Sequence, residues 1–145
     1  VASREGVVAA SRAAGLDLRM DYTTVPRCTF TRPEIASAGA TEAGLKERGI
    51  DFESGRFPFS ALGKAVAVGE TTGFVKVLSD RASGRVLGGV VVGPHASDLV
   101  HEIALATEAG LPHDTLASMI HAHPTLSEGV AEAAEAVSGL SVHSL

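Results

Sequence analysis

Phe74-Val75-Lys76-Val77-Leu78-Ser79-Asp80-Arg81-Ala82-Ser83-Gly84-Arg85-Val86-Leu87-Gly88-Gly89-Val90-Val91-Val92 is the stretch on which the fold turns. Two β-rich arms, Phe74 to Leu78 and Val86 to Val92, bracket a polar run from Ser79 to Arg85. That pattern predicts an antiparallel hairpin. The paired glycines in its second arm predict a bulge or the close approach of another backbone. Upstream, Arg27 to Thr31 and Ile35 to Ala38 read as short strands separated by the turn-type break Arg32-Pro33-Glu34, and Phe52 to Phe59 as a strand ending near Pro58. Thr41 is a sound N-cap for a helix over Glu42 to Arg48, with Gly49 as its left-handed terminator.

Downstream the period changes. Leu99, Ile103, Leu105 and Ala106 recur at helical spacing between Pro94 and Gly110, a short helix is expected over Asp114 to Ile120, and a last one over Leu126 to Val137. Strands first and helices after, without βαβ alternation, predict an α+β fold: an antiparallel sheet of about five strands with helices packed on it. Residues 1 to about 16 read as an Ala-rich helix ending at Gly15, too weakly apolar to stand alone. Leu16 to Val25 reads as a linker. The chain opens on Val rather than Met, which suggests part of something longer.

At 145 residues, 45% of them hydrophobic and 20% charged, the chain can bury a core and is not disordered. With no Trp and 4% aromatics, that core must be chiefly Val, Leu, Ile and Ala. A formal charge of -5 without any Lys/Arg cluster argues against a nucleic-acid or membrane partner. The longest nearly apolar run, Val86 to Pro94, is too short to span a bilayer. Cys28 is the only cysteine, so no intramolecular disulfide or Cys-based zinc site can form, and a reducing, cytoplasmic setting is expected.

Chemistry concentrates in His121-Ala122-His123-Pro124-Thr125-Leu126-Ser127-Glu128-Gly129. Imidazole titrates near neutrality, so His123 with a carboxylate to orient it makes a candidate proton shuttle. Spacing alone admits two other readings. Thr125-x-x-Glu128 is a capping box, with Thr125 at the N-cap and Glu128 at N3. His121-x-His123 with Glu128 could also ligate a metal. The chain lacks Gly-x-Gly, the P-loop, a redox dithiol and Gly-x-Ser-x-Gly, so it is not a self-sufficient redox enzyme. The remaining candidates read as structural. Cys28 is a small buried hydrophobe. His95, His113 and His143 are solvated, Lys64 is a loop charge, His101 is a surface or subunit-contact residue, and Glu128, Glu132 and Glu135 form a solvated helix face.

The segment His121 to Glu128 resembles the closing signature of the dihydrolipoamide dehydrogenase-like flavin disulfide oxidoreductases. Val25-Pro26, Phe30-Thr31-Arg32-Pro33-Glu34-Ile35-Ala36 and Gly39-Ala40-Thr41-Glu42 resemble the entry to that family's C-terminal dimerisation domain. Phe57-Pro58-Phe59, Gly73-Phe74-Val75-Lys76, Gly88 to Gly93 and Glu102 to Ala106 follow in the family's order. The resemblance implies a dimerisation domain over residues 23–145, preceded in 1–22 by a remnant of the flavin-domain helix and linker. It implies a homodimer in which His123, oriented by Glu128, reaches the partner subunit's redox disulfide, with the His123-Pro124 backbone near the partner's flavin. FAD and NAD(P) would belong to the intact enzyme, along with its flavin and nicotinamide domains. None is expected on this chain alone, which would not be catalytic by itself. A free-standing binding or assembly module that has lost its redox chemistry is the alternative. Small faces at Ala104, Ala106, Ala133 and Ala134 would suit close packing between subunits.

Overall fold

A computed structural model describes residues 1–139 of the chain. The order is α1 (Ala2–Ala13), β1 (Arg27–Thr29), β2 (Glu34–Gly39), α2 (Glu42–Glu47), β3 (Phe52–Pro58), a 3₁₀ turn (Phe59–Ala61), α3 (Gly63–Val68), β4 (Phe74–Asp80), β5 (Val86–Gly93), α4 (Ala96–Glu108), α5 (His113–Ser118) and α6 (Glu128–Val137). The strands form one antiparallel sheet in the order β1-β2-β5-β4-β3. The expected α+β architecture is therefore the observed one.

Strand register explains the core. Ala36, Val91, Val75 and Phe57 lie in one row across the sheet, and Ala38, Gly89, Val77 and Gly55 in the next row on the same face. These residues are buried, because α4 and α6 cover that face. The two glycines set how closely they can do so. A Cβ on Gly89 would meet the Lys76 carbonyl at 2.4 Å and Ile103 of α4 at 3.2 Å. A Cβ on Gly55 would sit 2.0 Å from the Ala133 carbonyl and 2.4 Å from the Val137 nitrogen. The backbone of α6 thus rests directly on β3. Both expected features occur at Gly88-Gly89: Ala40 N–H bonds to Leu87 O at 2.8 Å, and the pairing skips Leu87 of β5, since Leu78 pairs with Gly88 and Ser79 with Val86.

Local chemistry fixes the ends of the elements. Thr41 Oγ1 accepts the Gly44 N–H at 3.2 Å, and Gly49 adopts φ 65°, as the sequence predicts for α2. The N-terminus of α4 is capped from another element: Glu34 of β2 accepts the Ser97 N–H at 3.0 Å and its hydroxyl at 2.9 Å. The backbone bond first, then the hydroxyl, holds the Glu34 carboxyl below its ordinary range.

Several expectations need correction. α3 was not expected. It begins with Gly and exposes Val66 and Val68, so its propensity is poor, and buried Phe59, Leu62 and Ala65 hold it in place instead. Lys64 accordingly sits half-buried in a helix rather than in a loop. β1 stops at Thr29, leaving Phe30 exposed. Ala106, Ala133 and Ala134 are buried in the chain's own core and are not free for a subunit contact. His113 is buried as well. Leu111 to His113 pair back onto the hairpin turn, through Val86 N–H to Leu111 O and His113 N–H to Gly84 O. The His113 ring then lies within 3.0 Å of the Ser79 hydroxyl and the Gly84 carbonyl, and 2.9 Å from the Ser138 hydroxyl. His95 and His101 are exposed, Cys28 is partly buried against the core, and His143 lies outside the described residues.

Gly55→Ala places a methyl where α6 backbone now sits, and should cost about 1–3 kcal/mol of stability. Urea denaturation measures it. An unchanged midpoint would show that α6 does not depend on this contact.

Candidate functional site

Residues 119–127, between α5 and α6, belong to no helix or strand. The start of α6 gives them their anchor. Its first turn packs into the core: Val130 is buried, and Gly129 is small enough that an added Cβ would crowd Val75 and Phe59 at 3.3 and 3.4 Å. Glu128, the first residue of that turn, is thereby held in place. Its Oε1 lies 2.8 Å from His123 Nδ1, and its Oε2 accepts the Thr125 N–H at 2.7 Å. One carboxylate thus serves the ring and the backbone together.

An ionised carboxylate can only accept, so Nδ1 of His123 carries the hydrogen and Nε2 is the position at which the ring can take or give a proton. The His123 side chain is 78% exposed and that of Glu128 25%. Burial pushes the Glu128 carboxyl up, but the Thr125 N–H, the His123 hydrogen bond and the charges of His123 and His121 outweigh it. The net effect holds the carboxyl below its ordinary range.

The capping box forms only in part. Ser127, not Thr125, occupies the N-cap and makes no side-chain cap bond. The Thr125 hydroxyl donates to the Ala122 carbonyl at 2.7 Å. Turn bonds from Gly129 N–H to Leu126 O and from Val130 N–H to Ser127 O have already set the helix start two residues later than expected.

His121 does not join His123. Its Nε2 lies 2.8 Å from Glu102 Oε1 in α4 and its Nδ1 lies 2.9 Å from the Met119 carbonyl, with the side chain 7% exposed. The two imidazoles serve different carboxylates, and among the described residues no three His, Cys, Asp or Glu side chains converge for a metal. Glu102 as the partner of His121 was missed from the sequence, since nothing in a 19-residue separation marks the pair. The His123–Glu128 pair borders a recess of about 210 Å³ lined also by Phe57, Leu62 and Glu132. A larger cleft of about 470 Å³ lies elsewhere, and its carboxylates are engaged, Glu34 by Ser97 and Glu70 by Arg32. Among the described residues no helix is long and apolar enough to cross a membrane.

Residues 25–134 match the family described as the pyridine nucleotide-disulphide oxidoreductase dimerisation domain, and the chain belongs to that family. It is 47% identical over 145 residues to a dihydrolipoyl dehydrogenase of Haloferax volcanii, covering 100% of this chain and 30% of that protein. To a dihydrolipoyl dehydrogenase of Halobacterium salinarum it is 49% identical over 144 residues, again covering 30% of the relative and 99% of this chain. The chain therefore spans about 30% of the length of these curated relatives. Among solved structures it resembles LpdA of Mycobacterium tuberculosis, with a TM-score of 0.85 and 33% identity over 93% of this chain and 30% of that one. It also resembles the HOCl-induced flavoprotein disulfide reductase RclA of Escherichia coli, with a TM-score of 0.81 and 25% identity over 89% of this chain and 30% of that one.

Because the Glu128 carboxyl is held below its unfolded value, its ionisation stabilises the fold fully above the ordinary Glu range, and the gain is lost as pH falls through the folded value. Glu128→Gln should lower stability by about 1 kcal/mol at pH 7. The gap to wild type should close below about pH 4. Urea denaturation at both pH values is the check, and a pH-independent gap would contradict it.

Proposed function

We propose that this chain is the dimerisation domain of a flavin-dependent, dihydrolipoyl dehydrogenase-type disulfide oxidoreductase, and that His123 with Glu128 supplies the acid–base pair to the redox disulfide of the partner subunit. The observation that carries the reading is an exposed imidazole whose Nδ1 is fixed by a carboxylate, so that only Nε2 faces outward chemistry. The single cysteine, Cys28, is packed against the core in β1, so the thiols to be served lie on another part or another copy of the protein.

A thiol must lose a proton to attack a disulfide, and the departing sulfur must gain one. His123 Nε2 accepts the first proton and returns it for the second, while the Glu128 carboxylate faces the charge that develops on the ring. Flavin supplies two-electron transfer between the dithiol and the nicotinamide when bound. His123 and Pro124 are exposed, which suits a flavin held by the partner. NAD(P) would sit wholly on domains outside this sequence, and residues 1–22 would be the end of the flavin domain. A homodimer is supported by apolar side chains that the fold leaves in water: Leu105 at 67%, Met119 at 46% and Ile120 at 97% exposure. The single thiol, Cys28, is in keeping with a reducing, cytoplasmic setting.

In the full-length enzyme, His123→Gln should slow dihydrolipoamide-dependent NAD reduction by roughly 10²–10⁴-fold. Wild-type turnover in that variant would remove the role. Ile120→Asp should shift the full-length protein toward monomer in sedimentation, and an unaltered dimer would place the subunit contact elsewhere.

A further inference from the structure

We infer that Glu102 and His121 form a second carboxylate–imidazole pair that positions His123, an inference that rests on the acid–base role given to His123 above. His121 lies two residues before His123 in the segment without regular structure. Its two ring nitrogens both meet acceptors, the Met119 carbonyl at 2.9 Å and Glu102 Oε1 at 2.8 Å. A carbonyl cannot donate, so Nδ1 carries a hydrogen. The Nε2–Glu102 bond then needs one more proton, on the ring or on the carboxyl. The pair is made with the ring 7% and Glu102 21% exposed.

Among the described residues, this is the hydrogen bond that joins residues 119–127 to α4. On the other side of His123 the segment is fastened by Glu128, through Thr125 and through His123 itself. His123 is thus suspended between two buried-end anchors, one on α4 and one on α6, while its own ring stays exposed. His121 also reaches the second anchor electrically, since its charge is one of the influences that lower the Glu128 carboxyl. Removing Glu102 frees the N-terminal end of the span, so Nε2 of His123 is no longer aimed. Glu102 and His121 touch no reacting atom in this scheme and act through His123.

The test compares full-length enzyme carrying Glu102→Gln or His121→Gln with wild type, alone and combined with His123→Gln, using dihydrolipoamide and NAD. Each single variant should lose about 10–100-fold in kcat, the size of effect a misaimed catalytic group produces. KM should change by less than about twofold. In the His123→Gln background neither variant should cost anything further, because the group they aim is gone. A variant that merely depletes folded or dimeric enzyme would lower the rate by the same factor in both backgrounds, and that result would overturn the inference. So would wild-type kcat in both single variants. If Glu102→Gln depresses the melting temperature sharply, His121→Asn carries the same comparison, since its amide can still hold the Met119 carbonyl while the tie to Glu102 is lost. Should His123→Gln itself turn over at the wild-type rate, it is the role of His123 that falls. Should only His123→Gln be slow, the positioning role alone falls.

Discussion

The structure depends on the direct contact between the backbone of α6 and the sheet at Gly55. Any side chain there would drive Ala133 and Val137 outward, and with them the whole helix. Contact at this distance lets Val130, Ala133, Ala134 and Val137 bury against Phe57, Phe59, Val75 and Val77. Each large apolar side chain so buried is worth about 1.5–3 kcal/mol. A hydrogen bond to the site nets about 1 kcal/mol. The position of Glu128 is therefore set by core packing, and its hydrogen bonds only refine the orientation of a carboxylate that the helix has already delivered.

That carboxylate sits where an anion is favoured before any imidazole arrives. The first turn of a helix carries unpaired N–H groups and the positive end of the helix dipole, worth about 0.3–1 kcal/mol to a negative side chain. Glu128 stands in that turn and with one oxygen accepts the Thr125 N–H, which belongs to the segment leading into the helix. The second oxygen is left directed at His123 Nδ1. The Glu128 half of the capping box and the orientation of the ring, competing explanations when only spacing is considered, are thus one arrangement, although Thr125 does not cap the helix. The same reasoning holds at α4, whose N-terminus is satisfied by Glu34 from β2 and so ties the sheet to the helix that carries Glu102.

What could be read from the sequence followed local rules. Alternation and turn composition identified the β4–β5 hairpin, and Thr41 and Gly49 identified the limits of α2, because each of these depends on neighbours in the chain. The features that escaped are set by contacts between distant segments. α3 forms against Phe59 and Leu62 despite poor propensity. His113 has a solvated-looking Pro-His-Asp context and is buried only because Leu111 to His113 pair with the hairpin turn. Ala133 and Ala134 show the limit most clearly, since an Ala-rich face suits a subunit contact and a close sheet contact equally well. Gly55, almost eighty residues earlier, decides between them. His123 and Glu128 were legible through their local spacing and family resemblance; Glu102 was not, because its link to His121 exists only in three dimensions.

A proton shuttle that must serve groups outside its own chain faces a conflict. Its ring has to be exposed, yet an exposed side chain keeps rotamer freedom and aims poorly, and ordering it costs up to about 1–2 kcal/mol. If His123 serves as proposed, the two carboxylates would resolve this by acting at the ends of the segment, where Glu102 and Glu128 are 21% and 25% exposed, and not at the working nitrogen. Each bond is made in partly dry surroundings, where it is stronger than at an open surface. Under the proposed function, docking of the partner would then meet a ring whose orientation is already set. Less of the free energy of association would go into ordering the site, and more would remain for holding the two subunits together.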